Sequence, residues 1–554
     1  MSRLLLCCLL VAPAAVRASE PPNVLWISVE DISPRLGAYG DSVARTPNLD
    51  RLASQGTRYT HAFAVAPVCA PNRSAIITGM YPTTIGTHHM RTTHEGEGLP
   101  TPYLAVPPPY VKGFPEYLRA AGYYTTNDSK TDYQFGTPLT IWDESGDGAH
   151  WRNRPDPGQP FFAVFNITLT HESRNWAAPE ATDPASVSVP PYYPDTPPVR
   201  ASLARLYDNI AGMDERVGEL LDELEEDGLA DRTVVFFWSD HGDGLPRAKR
   251  WLYDSGTRFP LIVREPGQSP DVSARLVSSI DLGPTVLSLA GVPVPSHVQG
   301  RPFLGSQAGP HRERVFAARD RFDEAYDMVR AVRGRRHLYV RNYHPELPYL
   351  LFIPYRNRSP IMGELLRLHA EGALVGPQRL WLADRRPPEE LYDCDADPHQ
   401  VSNLAADPAQ VDVLARLRGE LDAWRRETGD LGDVPEVQLV ERFWPRGEQP
   451  ATAQPAFVVN SPEGRGGAAR REGGSFSGPM TLSLYCATQG ASIAYTTDPG
   501  EDPRWRLYSG PLRLPEGRTL VRARAVRYGY AESPELRGEF VVEQGQRPAT
   551  SPRN

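Results

Sequence analysis

The sequence predicts an α/β protein with a mostly parallel central sheet, followed by a small all-β sandwich. Three observations carry this. The runs NVLWISV at 23–29, PFFAVFNIT at 160–168 and TVVFFWS at 233–239 are short and almost wholly apolar, as strands buried on both faces of a parallel sheet are. From Leu203 onward Leu206, Ile210, Met213, Val217, Leu220 and Leu224 recur every three or four positions, giving an amphipathic helix to cover that sheet. Beyond residue 455 the pattern changes to period two, at 480–484, 491–497 and 520–526, with turn residues between.

Composition sets the outer limits. With 554 residues, 40% apolar and 23% charged, the chain can bury a sizeable core and form more than one domain. A formal charge of −9 argues against a general nucleic-acid binder, so any anion site must be locally basic. Met1-Ser2-Arg3, an apolar run over 4–16 and small residues before Ser19 read as a secretory signal over 1–18. The run is too short for a comfortable membrane span. The expectation is an exported protein, periplasmic or secreted, with no transmembrane segment after cleavage. Cys69, Cys394 and Cys486 would remain, too few and too far apart for a disulfide framework.

The first strand ends in Glu30-Asp31, at the end of the sheet where α/β proteins bind ligands. Two carboxylates there can hold a divalent cation, or simply cap a turn. Thr46-Pro47 is a good helix start, with Thr46 as N-cap. Next comes Val68-Cys69-Ala70-Pro71-Asn72-Arg73-Ser74, running on to Thr78-Gly79. Pro71 fixes a turn and 73–80 can be helical, which places Cys69 just before a helix N-terminus that favours an anion. Arg73 adds a guanidinium suited to an oxyanion. A lone cysteine is more often a small buried thiol, so the partners matter. The loop after Gly79 holds His88, His89 and Arg91, equally suited to a substrate contact or a solvated turn.

A helix over 114–123 closed by glycine leads into a segment holding Lys130 and Asp132. The strand at 160–168 is followed by Thr170-His171-Glu172, and a histidine titrating near pH 6.5 suits proton transfer. The strand at 233–239 ends in Asp240-His241, equivalent in position to Glu30-Asp31, so the two pairs can converge on one metal. Lys249 and Arg250 lie in a cation-dense stretch just beyond. Arg319, Asp320, Arg321 and Glu324 fall in a charged loop that is either a sugar subsite or, more often for such loops, solvated. A helix over 409–428 ends a catalytic region of 19–430. Residues 431–455, rich in proline, glutamate and arginine, read as a linker to the sandwich at 456–545.

Cys-x-Pro-x-Arg with Ser-x-x-x-Thr-Gly, preceded by Thr-Pro-Asn-Leu-Asp-x-Leu-Ala at 46–53, resembles the type I sulfatases. Ser-Val-Glu-Asp-Ile-Ser-Pro at 28–34 looks nearest to the heparan N-sulfatase-like bacterial members. Ile-x-Tyr-Thr-Thr-Asp-Pro-Gly at 493–500 resembles the C-terminal domain of chitobiase and β-hexosaminidase enzymes. The resemblance implies an alkaline-phosphatase-like catalytic domain. It implies that a formylglycine-generating enzyme converts Cys69 to formylglycine, whose hydrate attacks sulfur in a sulfated glycan. It implies Ca2+, with Mg2+ as the alternative, on Glu30, Asp31, Asp240, His241 and residue 69; Glu30 departs from the usual aspartate. Arg73, Lys130 and Lys249 would hold sulfate, with Arg250 second to Lys249, and His171 would protonate the leaving group. Asp132 stands where the family has a histidine. The rival readings are a phosphonate or phosphodiester hydrolase of the same superfamily and a non-catalytic glycan-binding protein.

Overall fold

The computed structural model describes residues 21–96, 99–460 and 469–543, so the expected signal at 1–18 lies outside the described residues. Eight strands form the central sheet: β1 (Asn23–Val29), β2 (Thr57–Phe63), β3 (Tyr124–Asp128), β4 (Glu144–Ser145), β5 (Phe161–Ile167), β6 (Thr233–Ser239), β7 (Leu261–Arg264) and β8 (Asp271–Ser278). Their spatial order is β4-β3-β5-β1-β6-β7-β2-β8. β1 pairs in parallel with β5 and β6, and β7 is the antiparallel member. β1 is buried along its length, with Leu25, Ile27 and Val29 in one core layer and Val24 and Trp26 in the other. Burial on both faces is why its sequence reads as a continuous apolar run.

Three helices position the functional region: α1 (Pro47–Gln55), α2 (Cys69–Thr78) and α3 (Pro197–Glu226). α3 starts earlier than its apolar period, because Pro197 and Pro198 occupy the first turn, where a missing N–H costs nothing. α2 starts at Cys69 and not after it, so the cysteine lies inside the first turn. Thr46 does not cap α1; its Oγ1 accepts from the Gly37 N–H. Asp214 of α3 takes that role from across the fold, accepting the Asn48 and Leu49 N–H groups.

A second sheet, absent from the sequence reading, is antiparallel: Val315–Arg319, Val329–Arg333, His337–Asn342 and Glu389–Asp393. Arg319 therefore ends a strand and does not sit in a solvated loop. Helix Val411–Thr428 packs its Leu414, Leu417, Leu421 and Trp424 against this sheet. The stretch 431–455, expected as a linker, contains helix Glu436–Phe443, whose Leu439 and Phe443 pack with Tyr103. The C-terminal domain is a sandwich of four- and five-stranded sheets around Phe457, Leu482, Val521 and Phe540. Among the described residues no helix is long and apolar enough to cross a membrane. Their three cysteines are all free.

Candidate active site

Parallel pairing brings the carboxyl ends of β1, β3, β5 and β6 to one edge, and four elements deliver side chains there. Asp31 follows β1 in a left-handed backbone conformation (φ 59°), and its N–H donates to Asp240 Oδ1 at 3.1 Å after β6. Asn72 on α2 locks the third element in: its side-chain amide donates to the Asp240 carbonyl and accepts from the Val65 N–H and Ser279 hydroxyl. Asp31, Cys69, Asp240 and His241 then present ligand atoms within 4.8 Å of one another, all buried. Cys69 Sγ is 3.7 Å from His241 Nε2 and 4.0 Å from Asp31 Oδ1.

The electrostatics call for a cation at this quartet. Burial opposes charge on His241, yet Asp240 and Asp31 outweigh it and raise the imidazole to about 10. Asp240 Oδ2 is buried without a hydrogen-bond partner, with only the Arg73 Nε at 3.4 Å. A carboxylate oxygen left open beside a second carboxylate and an imidazole fits a divalent metal. Glu30 stands outside the quartet, paired with Lys130 and, at 3.4 Å, with Arg73. Its longer arm carries the carboxylate towards these cations.

Cations ring the cysteine. Arg73, one turn along α2, donates to Asn166 Oδ1 at 2.8 Å, and Asn166 is held by Asn127 and the Asp128 carbonyl on β3. Lys130 is raised above its usual range; burial works against its charge, but Cys69 and Glu30 prevail. Lys249 is fully buried against Asp31 at 2.8 Å and Glu172 at 3.3 Å. His171 lies at the edge, lowered by burial and then by Lys249, with Nδ1 against the Ser173 hydroxyl at 2.9 Å. Asp132 is exposed on a left-handed backbone (φ 56°), and its charge bears on Arg73 and Lys130.

Other expected site residues are buried among partners of their own. His88 and His89 are buried, ring centroids 4.2 Å apart, and so do not form a solvated turn. Arg250 is held between Glu172, with two contacts of 3.0 Å, and Asp323 at 2.6 Å. Arg319 lies over the Trp251 ring at 4.2 Å, near Asp327. Arg321 binds Glu436 and the Met90 carbonyl. Each of these arginines is buried by partners distant in sequence, which removes it from a solvent-facing subsite. Asn72, Asn166 and Glu172 were missed by sequence reasoning. Asn166 carried one legible signal, a polar residue inside an otherwise apolar strand.

Comparison with known proteins matches this architecture. A sulfatase family model covers residues 22–292, a model of the C-terminal part of N-sulphoglucosamine sulphohydrolase covers 246–344, and the chitobiase/β-hexosaminidase C-terminal domain covers 471–536. An ulvan-active sulfatase of Formosa agariphila is 41% identical, covering 91% of this chain and 89% of that one. Human N-sulphoglucosamine sulphohydrolase is 29% identical over 79% of this chain and 97% of its own. A protein solved in complex with its substrate D-glucosamine-2-N,6-O-disulfate shares the fold, with TM-score 0.54 and 18% identity over 75% of this chain and 99% of that one. A phosphonate monoester hydrolase from Silicibacter pomeroyi shares it too, with TM-score 0.55 and 20% identity over 74% of this chain and 96% of its own. Likeness to a named sulfatase over nearly the whole of both chains, on a fold that gathers Cys69, Arg73 and the carboxylates at one sheet edge, makes this chain a member of the sulfatase family.

Proposed function

We propose that this sulfatase is an exported enzyme that removes O-sulfate or N-sulfate groups from sulfated glycans. Support for the substrate class comes from the ulvan-active and N-sulphoglucosamine relatives. Support for the chemistry comes from one observation: Cys69 opens α2 within 4.0 Å of Asp31 and His241, in a quartet flanked by Arg73, Lys130 and Lys249. We further propose that a formylglycine-generating enzyme matures Cys69 and that Ca2+ is the metal. Asp31, Asp240 and His241 would hold it with residue 69, and Glu30 can join if it releases Lys130.

When present, formylglycine hydrate supplies the attacking oxygen and the divalent cation stabilises it. The chain's own residues do the rest. Arg73, Lys130 and Lys249 hold the sulfate oxygens, where negative charge spreads in the transition state. Asn72 and Asn166 fix Asp240 and Arg73 so that these groups need not reorganise. His171 donates from Nε2 to the departing sugar oxygen or nitrogen, with Nδ1 held by Ser173.

The test is a peptide mass across Cys69 on protein made with a formylglycine-generating enzyme, joined to sulfate release from sulfated glycans. Exchange of sulfur for oxygen with loss of two hydrogens, and sulfate release that stops with a chelator and returns with Ca2+, is the expected result. An unmodified thiol in active protein would overturn the mechanism. Faster turnover of a phosphodiester or phosphonate than of any sulfate would overturn the reaction class.

A further inference from the structure

Beside His171 the structure carries a feature that neither sulfate transfer nor metal binding uses. Tyr355, half-buried on the loop before helix Pro360–Ala370, has its ring centroid 6.4 Å from that of His171 and 5.1 Å, edge-on, from that of Trp176. Two guanidinium groups flank this aromatic pair. Arg91 lies 5.0 Å from the Tyr355 centroid, and Arg358 lies 4.7 Å from Trp176 and 5.8 Å from Tyr355. These four side chains come from three separate segments, at 91, 176 and 355–358, yet meet beside His171.

The charges here do not balance. Among the described residues Arg358 is exposed and has no acidic partner, its contacts being the two rings. Arg91 shares its carboxylate, Asp323, with the buried Arg250. Arg356 is 4% exposed, and its Nε has no hydrogen-bond partner. Burial, then Arg250 and Arg319, push that guanidinium down to about 9. Arg358 thus has no carboxylate of its own, and Arg91 has only the one it shares with Arg250. An exposed guanidinium stacked on a partly exposed aromatic pair, with no carboxylate of its own, suits an anion from outside the chain. Stacked on the two rings, Arg358 keeps its N–H edge available for it.

We propose that Tyr355, Trp176, Arg91 and Arg358 form a subsite for the sugar next to the one that loses sulfate, and that this neighbouring sugar carries an anionic group of its own, a carboxylate or a second sulfate. The aromatic pair takes the sugar's apolar face and Arg358 takes the anion. This rests on the sulfated-glycan reading above. The protein is thereby selective for oligosaccharides over single sulfated sugars.

The test uses mature full-length enzyme and a sulfated disaccharide with a uronic acid beside the sulfated sugar. It is compared with the carboxyl-reduced form, and with a disaccharide bearing a second sulfate there before and after selective desulfation. Loss of the neighbouring anion should lower kcat/KM about tenfold, mainly through KM, the size of one charge-assisted contact. The pair that responds identifies the anion. Arg358→Ala should erase that ratio and Arg358→Lys should restore part of it. Equal kcat/KM for both members of each pair, or a ratio that survives Arg358→Ala, overturns the subsite. If none of these compounds is turned over, binding of the same pairs to the Cys69→Ala protein gives the answer: a tenfold affinity difference supports the subsite while the reaction class fails, and equal affinity overturns the subsite.

Discussion

Arg250 and Lys130 separate holding the site together from acting in it. Arg250 is 1% exposed and joins Glu172 to Asp323, so Arg250→Ala leaves two buried carboxylates short of a partner. Removing one member of a buried pair costs about 3–5 kcal/mol, and chemical denaturation should show a loss of that size. Lys130 is partly open to solvent and faces Glu30, which keeps Arg73 as a second cation. Lys130→Ala should therefore cost little stability but lower kcat about 10²–10³-fold, as loss of one transition-state donor does; steady-state kinetics beside thermal melts would separate the two. That Asp31, Asp240 and His241 meet was legible because each pair ends an obvious strand, whereas the turn of Glu30 toward Lys130 was not. It could not reveal that Arg250 belongs to Glu172 and Asp323, which lie 78 and 73 positions away. An arginine in a basic stretch looks the same whether it meets substrate or a buried acid.

The loop from Asp240 to Gly256 is the element that carries Asp240, His241 and Lys249, and it closes on glycine. A Cβ on Gly242 would sit 2.2 Å from the Ser255 carbonyl oxygen, and one on Gly256 2.1 Å from that of Ala248. Backbone cannot yield as a flexible side chain does. Gly242→Ala should cost about 1–3 kcal/mol as overpacking, and displacement of Asp240 and His241 should remove metal affinity, measurable by calorimetric Ca2+ titration. The antiparallel sheet at 315–393 was illegible for the opposite reason. Arg330 and Arg333 interrupt its period-two pattern, yet they are buried through Asp320, Asp430 and Asp254, so burial there is by charge pairing and not by apolar surface. In the sandwich, Glu535 accepts from Arg522 at 2.7 and 3.0 Å and from Arg524 and Arg537. Hydrogen bonding to Arg522 leads in holding its carboxyl down to about 2. A depressed carboxylate stabilises the fold above the ordinary value near 4.5, and that contribution is lost as pH falls from there toward 2. Wild type should melt above Glu535→Gln at pH 6, with the difference closing over that window.

At the scale of the whole molecule the C-terminal sandwich is docked on the loop that leads out of β3. Tyr528 is fully buried; its ring stacks on Phe135 at 4.9 Å and 9°, and its hydroxyl donates to Glu116 at 2.8 Å while accepting from the Gly113 N–H at 2.9 Å. The Gly529 N–H donates to the Phe135 carbonyl, and Gly529 meets Ala105 so closely that a Cβ would lie 2.2 Å from its oxygen. Ala105 in turn bonds the Gln134 carbonyl, and Gln134 reaches the His89 carbonyl. Residues 134 and 135 are thus clamped from two sides, five residues or fewer beyond Lys130. Period-two alternation announced a separate domain but said nothing of this contact, because Tyr528 in a strand-rich segment looks like any sandwich core residue. If the clamp matters only for stability, Tyr528→Phe and Tyr528→Ala should lower the melting temperature and leave kcat alone. The geometry argues otherwise. Tyr528→Phe keeps the stack and leaves Glu116 with Thr140 and Ser492, so its loss should stay within about 1–3 kcal/mol with kcat near wild type. Tyr528→Ala removes the ring from Phe135, costs about 3–5 kcal/mol, and frees the segment that carries Lys130, for which sulfate binding is proposed above. Its kcat should fall several-fold at a temperature where circular dichroism still reports a folded protein, and with Cys69 fully converted; an unchanged kcat under those conditions would reduce the sandwich to a passive brace.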